Sequence, residues 1–211
     1  LEHSRASGAA LSRPFYVTKL KRSAIAAPFF AVNAPETRRG YCCLVRFWDG
    51  DNPVTAISLR RARAADSQDI AALVRESWLA ANQNLLPGDT ADALVQSADI
   101  GGFVAGEWPS VWIAEIDGEI AGVVGVNPAG VIWALYVRPG YQGCGIGSAL
   151  YDAAINTLKS AGQRKAMLEV LAANENAVAF YRSRGWVPEG RRTEHIPGFR
   201  FTAVRMGLAL A

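Results

Sequence analysis

Three alternating glycines stand between an apolar segment and a predicted helix. Gly143, Gly145 and Gly147 follow residues 131–137, which are almost entirely apolar. Glycine accepts positive φ values and lets a ligand approach the main chain closely. The first N–H groups of a helix have no partner within it and carry the positive end of its dipole, so they suit a phosphate or pyrophosphate. The glycines could instead merely permit a tight turn, but three at alternate positions favour an anion-binding loop.

Two common nucleotide-binding motifs do not fit this loop. A dinucleotide fold needs Gly-x-Gly-x-x-Gly and an acidic residue after the next strand, whereas this loop reads Gly-x-Gly-x-Gly. The next predicted strand leads into Ala172, Ala173 and Asn174, none of which is acidic. A phosphate-binding loop of the ATPase type would need a following Gly-Lys-Ser/Thr, which is also missing. The phosphate-bearing ligand is therefore of another kind.

The loop resembles the acetyl-CoA signature of the GCN5-related N-acetyltransferase superfamily, Gln/Arg-x-x-Gly-x-Gly/Ala after an apolar strand. Here it is Gln142-x-x-Gly145-x-Gly147. A second segment, Asn174-x-x-Ala177-x-x-Phe180-Tyr181-x-x-x-Gly185-Trp186, resembles the later helix of that superfamily. The resemblance covers residues 55–208, and both motifs occur in the expected order and at the expected distance.

The resemblance implies acetyl-CoA as co-substrate, with no metal. The main chain of the loop and first helical turn would bind the pyrophosphate through Gln142, Gly143, Cys144, Gly145, Ile146, Gly147 and Ser148. The main chain of Leu135 and Val137 would hydrogen-bond the pantetheine arm and polarise the thioester carbonyl. Asn174 would contact the cofactor from the other side, and Asn is also a good helix N-cap.

Two residues are candidates for proton transfer. Tyr181 occupies the position where the superfamily often places the acid that protonates the departing thiolate, although Phe180 and Tyr181 could simply pack a helix onto the sheet. Glu169, in an otherwise apolar strand, is the candidate base; the alternative is a solvent-facing Glu at a sheet edge. Many members carry an acid just before the position of Leu135, but this chain has Ala134 there. The base must then lie elsewhere.

The hydrophobic pattern predicts the elements that position these residues. Residues 55–62 alternate as in a strand. Asp66 is the predicted N-cap of the helix that follows, with Asp69 at N3, and a second helical pattern covers about 90–103. Further predicted segments are strands 111–116, 119–126 and 131–137, helix 148–161, strand 166–171, helix 174–184, and strands from 187 and over 201–208. We expect an α/β acyl-CoA N-acyltransferase fold: a mixed, mostly antiparallel sheet of six to seven strands with helices on both faces, split near Val137 and Val170.

Composition limits the number of domains, the kinds of partner and the cellular location that we expect. The chain has 211 residues, half of them apolar, and a formal charge of only +3, so we expect one domain and no nucleic-acid partner. No apolar run has the roughly 20 residues of a membrane span. Cys42, Cys43 and Cys144 suggest no disulfide framework, and a cytoplasmic location fits best. Residues 1–54 are predicted to be an irregular extension, which is either a targeting segment or artefactual, and residues 55–211 the acetyltransferase domain.

The sequence therefore predicts an N-acetyltransferase that moves acetyl to a primary amine by direct attack. The acceptor, a small molecule or a peptide, stays open because acceptor specificity depends on loops without a shared code. The alternative is a non-catalytic acyl-CoA-binding or regulatory module, which the residue Ala134 favours and Tyr181 disfavours. The resemblance also implies a homodimer, a common state among such proteins.

Overall fold

A computed structural model describes residues 57–85, 110–196 and 199–211. Its helices and strands are β1 Ser58–Arg61, α1 Ser67–Asn82, β2 Val111–Ile116, β3 Glu119–Val126, β4 Ile132–Val137, α2 Ile146–Ser160, β5 Lys165–Leu171, α3 Glu175–Arg182, β6 Val187–Ile196 and β7 Phe199–Ala209. The predicted extension 1–54 and the predicted helix 90–103 lie outside the described residues. The division into extension and domain stays a prediction.

The first sheet is the predicted antiparallel meander, extended by one strand. Its order is β1-β2-β3-β4. The β3–β4 turn is held by the Asn127 side chain, whose Oδ1 accepts from the N–H groups of Ala129 and Val131, both at 3.0 Å. Every residue of β4 is buried, as expected for a strand covered on both faces.

The second sheet has the order β5-β7-β6, and all its pairs are antiparallel. Its strand β5 runs parallel to β4 but meets the first sheet only near the β4 start, where Val131 pairs with Met167. There the Met167 N–H donates to the Gly130 carbonyl at 2.9 Å. Beyond this bridge, no strand pairing joins β4 and β5 among the described residues, so the two sheets separate into a split.

Helices cover both faces of the sheets. The helix α1 packs with β2, β3 and β4 in one buried cluster, which includes Trp78, Ala134 and Tyr136. The helices α2 and α3 belong to a second buried cluster on the opposite face, with Leu135 and Tyr181. The predicted fold class, a mixed and mostly antiparallel α/β arrangement with a split sheet, is confirmed.

One predicted N-cap lacks its hydrogen bond, and one predicted helix start was wrong. Asp66 occupies the N-cap position of α1, but its side chain makes no cap hydrogen bond to that helix. The carboxylate instead accepts from the Arg60 guanidinium at 2.7 and 3.0 Å and from the Arg63 N–H at 2.7 Å, because a charged pair competes successfully with the cap. The helix α2 begins at Ile146, two residues earlier than predicted, so Ile146 and Gly147 belong to its first turn.

Candidate active site

Next to the split, main-chain groups of β4 lie outside the β3–β4 hydrogen-bond ladder. The Arg138 N–H donates to the Ala121 carbonyl at 2.9 Å, so these two residues form a hydrogen-bonded pair of the β3–β4 ladder. Such pairs alternate with non-hydrogen-bonded ones along an antiparallel ladder. Leu135 and Val137 are opposite Val124 and Gly122, and both pairs are of the non-hydrogen-bonded kind. Their N–H and C=O groups therefore point away from β3, toward β5.

The edge of β5 that faces β4 also has main-chain groups that point into the split. The Ala172 N–H donates to the Thr202 carbonyl at 2.8 Å, which fixes the alternation of the β5–β7 ladder. The main-chain groups of Glu169 and Leu171 consequently point toward β4. An extended ligand that carries amides can pair with both edges of the split. The Val137 carbonyl also accepts from the Gln142 side-chain amide at 3.2 Å, which ties the loop to the end of β4.

The glycine loop has the backbone that the sequence predicted. Gly143 and Gly145 have φ values of 78° and 82°, in the left-handed region that favours glycine. The first intrahelical bond runs from the Ala149 N–H to the Gly145 carbonyl at 3.0 Å, and Gly145 supplies no side-chain cap. The N–H groups at the start of α2 thus face the loop, as an anion site requires.

The third glycine is not required by a special φ value. Gly147 lies in the first turn of α2, and a Cβ added there would be 3.6 Å from the Val137 side chain, an ordinary contact. The start of α2 thus packs against the end of β4. The predicted cofactor residues from Gln142 to Ser148 are therefore brought together beside the open end of the split.

Arg184 is a residue near the anion site that the sequence analysis missed. Its Nη2 donates to the Ser148 Oγ at 2.9 Å, and its guanidinium lies 3.6 Å from the Phe180 ring centroid. This brings a positive charge to the first turn of α2, where the helix dipole already favours anions. No local signal could reveal the contact, because Ser148 and Arg184 are 36 residues apart in sequence.

Asn174 is the predicted N-cap of α3 and has a second contact. Its Oδ1 accepts from the Ala177 N–H at 3.0 Å, and its Nδ2 donates to the Asn82 Oδ1 at 3.3 Å. The Asn82 Nδ2 in turn donates to the Trp78 carbonyl at 2.9 Å. Both Asn side chains are buried. This bond joins the end of α1 to the start of α3, helices on opposite faces of the sheets.

Tyr181 lies fully buried in the same cluster as Leu135 and Val137. Its ring makes edge-to-face contacts with Phe180 and Trp186, whose centroids are 5.1 and 5.5 Å away. Burial raises the pKa of Tyr181 well above its usual value, and the neighbouring phenols of Tyr136 and Tyr151 act in the same direction. A phenol is protonated at neutral pH even at its ordinary pKa, so any donation by Tyr181 depends on its position beside the reacting sulfur rather than on this shift.

Glu169 lies in a charged environment, and the apolar surroundings that the sequence predicted for it were wrong. Its Oε1 accepts from Arg205 Nε and Nη2 at 3.2 and 3.1 Å, and its Oε2 accepts from Arg192 Nη2 at 3.1 Å. Both arginines come from the β6–β7 hairpin, which lies far from β5 in sequence. The alternating pattern of β5 gave the strand correctly but carried no information about these partners.

The two proton-transfer candidates lie on opposite faces of the second sheet. Leu168 and Val170 belong to the cluster of Tyr181, whereas Leu171 packs in the cluster of Ala134 and α1. Side chains alternate along a strand, so Glu169 faces the same side as Leu171. The Glu169 side chain thus shares a face with Ala134, the position at which many relatives carry an acid.

Other expectations concern cysteine, metal and membrane. Cys144 is bonded in a disulfide, whereas the sequence suggested no disulfide framework. The described part of the chain contains no group of three or more His, Cys, Asp or Glu that could hold a metal ion. No helix within those residues is long and apolar enough to cross a membrane.

Comparisons with known proteins agree with this geometry. The model of the acetyltransferase (GNAT) family matches residues 69–186, a span that includes both motifs. The chain is 30% identical over 146 residues to a mycothiol acetyltransferase of Streptomyces avermitilis, covering 64% of this chain and 47% of that protein. It is 30% identical over 168 residues to a mycothiol acetyltransferase of Paenarthrobacter aurescens, covering 72% and 52%. The chain spans about half the length of these curated relatives.

Solved structures show the same fold. A GCN5-related N-acetyltransferase from Rhodopseudomonas palustris superposes with a TM-score of 0.64 at 26% identity, over 76% of this chain and 100% of that one. The PaiA N-acetyltransferase of Thermoplasma acidophilum, solved in complex with coenzyme A, gives 0.57 at 18% identity over 73% and 99%. Because the family model covers more than half of the chain and contains both motifs, the protein belongs to the acetyltransferase (GNAT) family.

Proposed function

We propose that this protein is an acetyl-CoA-dependent N-acetyltransferase that acetylates a primary amine of a small molecule or a peptide. The observation that carries the proposal is the split between β4 and β5, which is bordered by main-chain groups and ends at the glycine loop and the start of α2. Family membership and the mycothiol acetyltransferases among the relatives support the same reaction class.

The residues fit a coenzyme A thioester at two places. The positive φ values of Gly143 and Gly145 and the first N–H groups of α2 suit its pyrophosphate. The main chain of Leu135 and Val137 suits the amides of an extended pantetheine arm, and an N–H there would polarise the thioester carbonyl. The thioester supplies an activated acetyl group. Asn174, at the far edge of the split, would complete the binding site.

The reaction needs one proton acceptor and one proton donor. The amine nitrogen would attack the carbonyl carbon, forming a C–N bond as the C–S bond breaks. The departing sulfur would receive its proton from the Tyr181 hydroxyl, which is protonated at neutral pH. Before the attack, the arriving ammonium would lose one proton to Glu169, directly or through a water, and Glu169 would release it to solvent. The second proton would leave the nitrogen as the amide forms and would restore the Tyr181 hydroxyl through water. Each carboxylate oxygen has two acceptor sites, and Oε2 has one protein hydrogen bond in contrast to the two at Oε1.

Titration calorimetry with acetyl-CoA, NAD and ATP tests the first half of the proposal. Saturable binding of acetyl-CoA alone is expected, whereas preference for NAD or ATP would overturn it.

An amine panel with detection of released thiol then tests the reaction. Tyr181→Phe should lower kcat about 100-fold or more and leave acetyl-CoA binding unchanged. The control Tyr141→Phe removes a partly exposed phenol. Binding without turnover on any amine would instead indicate an acyl-CoA-binding module.

A homodimer and a cytoplasmic location stay predictions. The first is tested by sedimentation of the purified chain and the second by fractionation of the cells that produce it.

A further inference from the structure

Two arginines surround one carboxylate on the sheet face that carries Glu169 and Leu171, which we call the acceptor face. Arg192 and Arg205 bind opposite oxygens of Glu169 through three hydrogen bonds of 3.1–3.2 Å. The Glu169 side chain is 11% exposed, whereas those of Arg192 and Arg205 are 41% and 51% exposed. The carboxylate is therefore mostly covered, and most of the exposed surface at this place belongs to the two arginine side chains.

These arginines lie on the side from which the amine would approach. Arg205 is opposite Glu169 in the β5–β7 ladder, and Arg192 is opposite Ala203, two residues along β7 from Arg205. Side chains of one face repeat every second residue along a strand, so all three share the face of Leu171 and Phe201. The same face contains Ala134, whereas Tyr181 lies on the other.

This charge arrangement distinguishes between kinds of acceptor. A primary amine arrives as an ammonium ion at neutral pH, and two guanidinium groups repel a cation that brings no anion with it. A carboxylate, in contrast, forms charge-assisted and often bidentate bonds with guanidinium groups. An acceptor that carries both groups can place its carboxylate on the arginines and its ammonium toward Glu169.

We propose that the acceptor is a primary amine with a carboxylate a few bonds away, as in an amino acid, and that Arg192 and Arg205 bind this carboxylate. The inference rests on the proposed N-acetyltransferase function and specifies its substrate class. Glu169 then has a second task, because its ion pairs hold both guanidinium groups at the acceptor site.

The test compares each amino acid of a panel with its carboxamide, using thiol release with saturating acetyl-CoA. The free acids should have higher kcat/KM than their amides. This comparison is stringent, because the amide has the less basic amine and hence more of the reactive neutral form at pH 7. Amides that are turned over equally well or better would overturn the inference while leaving the acetyltransferase function intact.

Substitutions of the two arginines test whether they cause the preference for the free acid. Arg205→Gln and Arg192→Gln should each raise KM for the acid about 10-fold or more, the range expected for a lost hydrogen bond to a charged group. KM for the amide should rise less than KM for the acid. The affinity for acetyl-CoA should stay unchanged, which also reports that the variant folds. Arg205→Lys, which keeps the charge but loses the fork, should give an intermediate KM.

Arg191→Gln is the matched control, because Arg191 is an exposed neighbour of Arg192 that faces the other side of β6. An equal rise of KM for acid and amide in the Arg192 and Arg205 variants would contradict carboxylate binding. If acetyl-CoA binds but neither the amino acids nor their amides are acetylated, the substrate class fails. The proposed function fails as well only if no other amine of the wider panel is acetylated.

Discussion

The two strands that border the split present different chemistry. The strand β4 offers main-chain groups at Leu135 and Val137, and its side chains are apolar and buried. The strand β5 adds a charged side chain, Glu169, with partners from two other strands. Main-chain recognition depends on a backbone path, which many sequences can supply, whereas side-chain recognition depends on residue identity. We infer that the β4 side binds what family members share and that the β5 side determines what distinguishes them.

The largest effect should come from Glu169→Gln. Loss of the proton acceptor should lower kcat about 100-fold or more. The acetyl-CoA affinity, measured by calorimetry, should stay unchanged because Glu169 belongs to the acceptor face. Glu115→Gln is the matched control, since Glu115 is also paired with an arginine, Arg60, but lies in the first sheet. A parallel loss of acetyl-CoA binding in Glu169→Gln would contradict the division between the two strands.

A second substitution addresses the bond that joins the two faces. Asn82→Leu removes the partner of the Asn174 amide and should lower the free energy of unfolding by about 1–3 kcal/mol, the cost of an unmet buried polar group. It should also weaken acetyl-CoA binding, because Asn174 loses its orientation. Asn82→Asp, which keeps an acceptor oxygen at this place, should restore more of the binding than of the stability.

Asn156→Leu serves as the control for that experiment, because Asn156 is an exposed residue of α2. Normal acetyl-CoA binding by a folded Asn82→Leu would show that α1 does not orient Asn174.

A smaller effect is expected at Gly145. An L-residue in the left-handed region costs roughly 1–2 kcal/mol, so Gly145→Ala should weaken acetyl-CoA binding about 10-fold or lower the stability by that amount. Gly140→Ala is the control, since Gly140 lacks a positive φ and a Cβ there would meet no neighbour. Unchanged affinity and stability in Gly145→Ala would show that the loop backbone is not specific.

Much of the β4 side could be predicted from sequence. Glycine spacing, an apolar strand and a helix start are local signals, so the loop and the meander were predicted, and so was the N-cap at Asn174 after β5. Even here the start of α2 was misplaced by two residues, because a glycine was not expected inside a helix. The Asp66 side chain makes no cap hydrogen bond because it pairs with Arg60 of the preceding strand β1.

The β5 side was predicted less well, for a physical reason. Glu169 was recognised as a candidate, but its surroundings were taken from its neighbours in β5. The residues that decide its environment, Arg192 and Arg205, lie 23 and 36 positions later and reach it only through the sheet register. Asn82 and Arg184 were missed for the same reason. Contacts between distant strands and helices leave no local pattern in a single sequence.

The smallest effect concerns pH. Burial raises the pKa of Tyr181 above the ordinary value of about 10, so the phenol keeps its proton as pH rises through that value. The kcat should therefore show no decrease due to Tyr181 between pH 8 and 10. In the unfolded chain the phenol ionises near pH 10, so stability should fall above that pH more steeply in the wild type than in Tyr181→Phe. A decrease of kcat below pH 10 that disappears in Tyr181→Phe would contradict this.

The most direct test of the central claim is to follow the backbone amide signals by NMR while acetyl-CoA is added. The account predicts that the largest shifts occur at Leu135, Val137 and the amides from Gly143 to Ser148, with smaller shifts at Asn174 and little change at Arg192 and Arg205. Shifts confined to other surfaces, or none at saturating acetyl-CoA, would contradict the assignment of the cofactor to the split between β4 and β5.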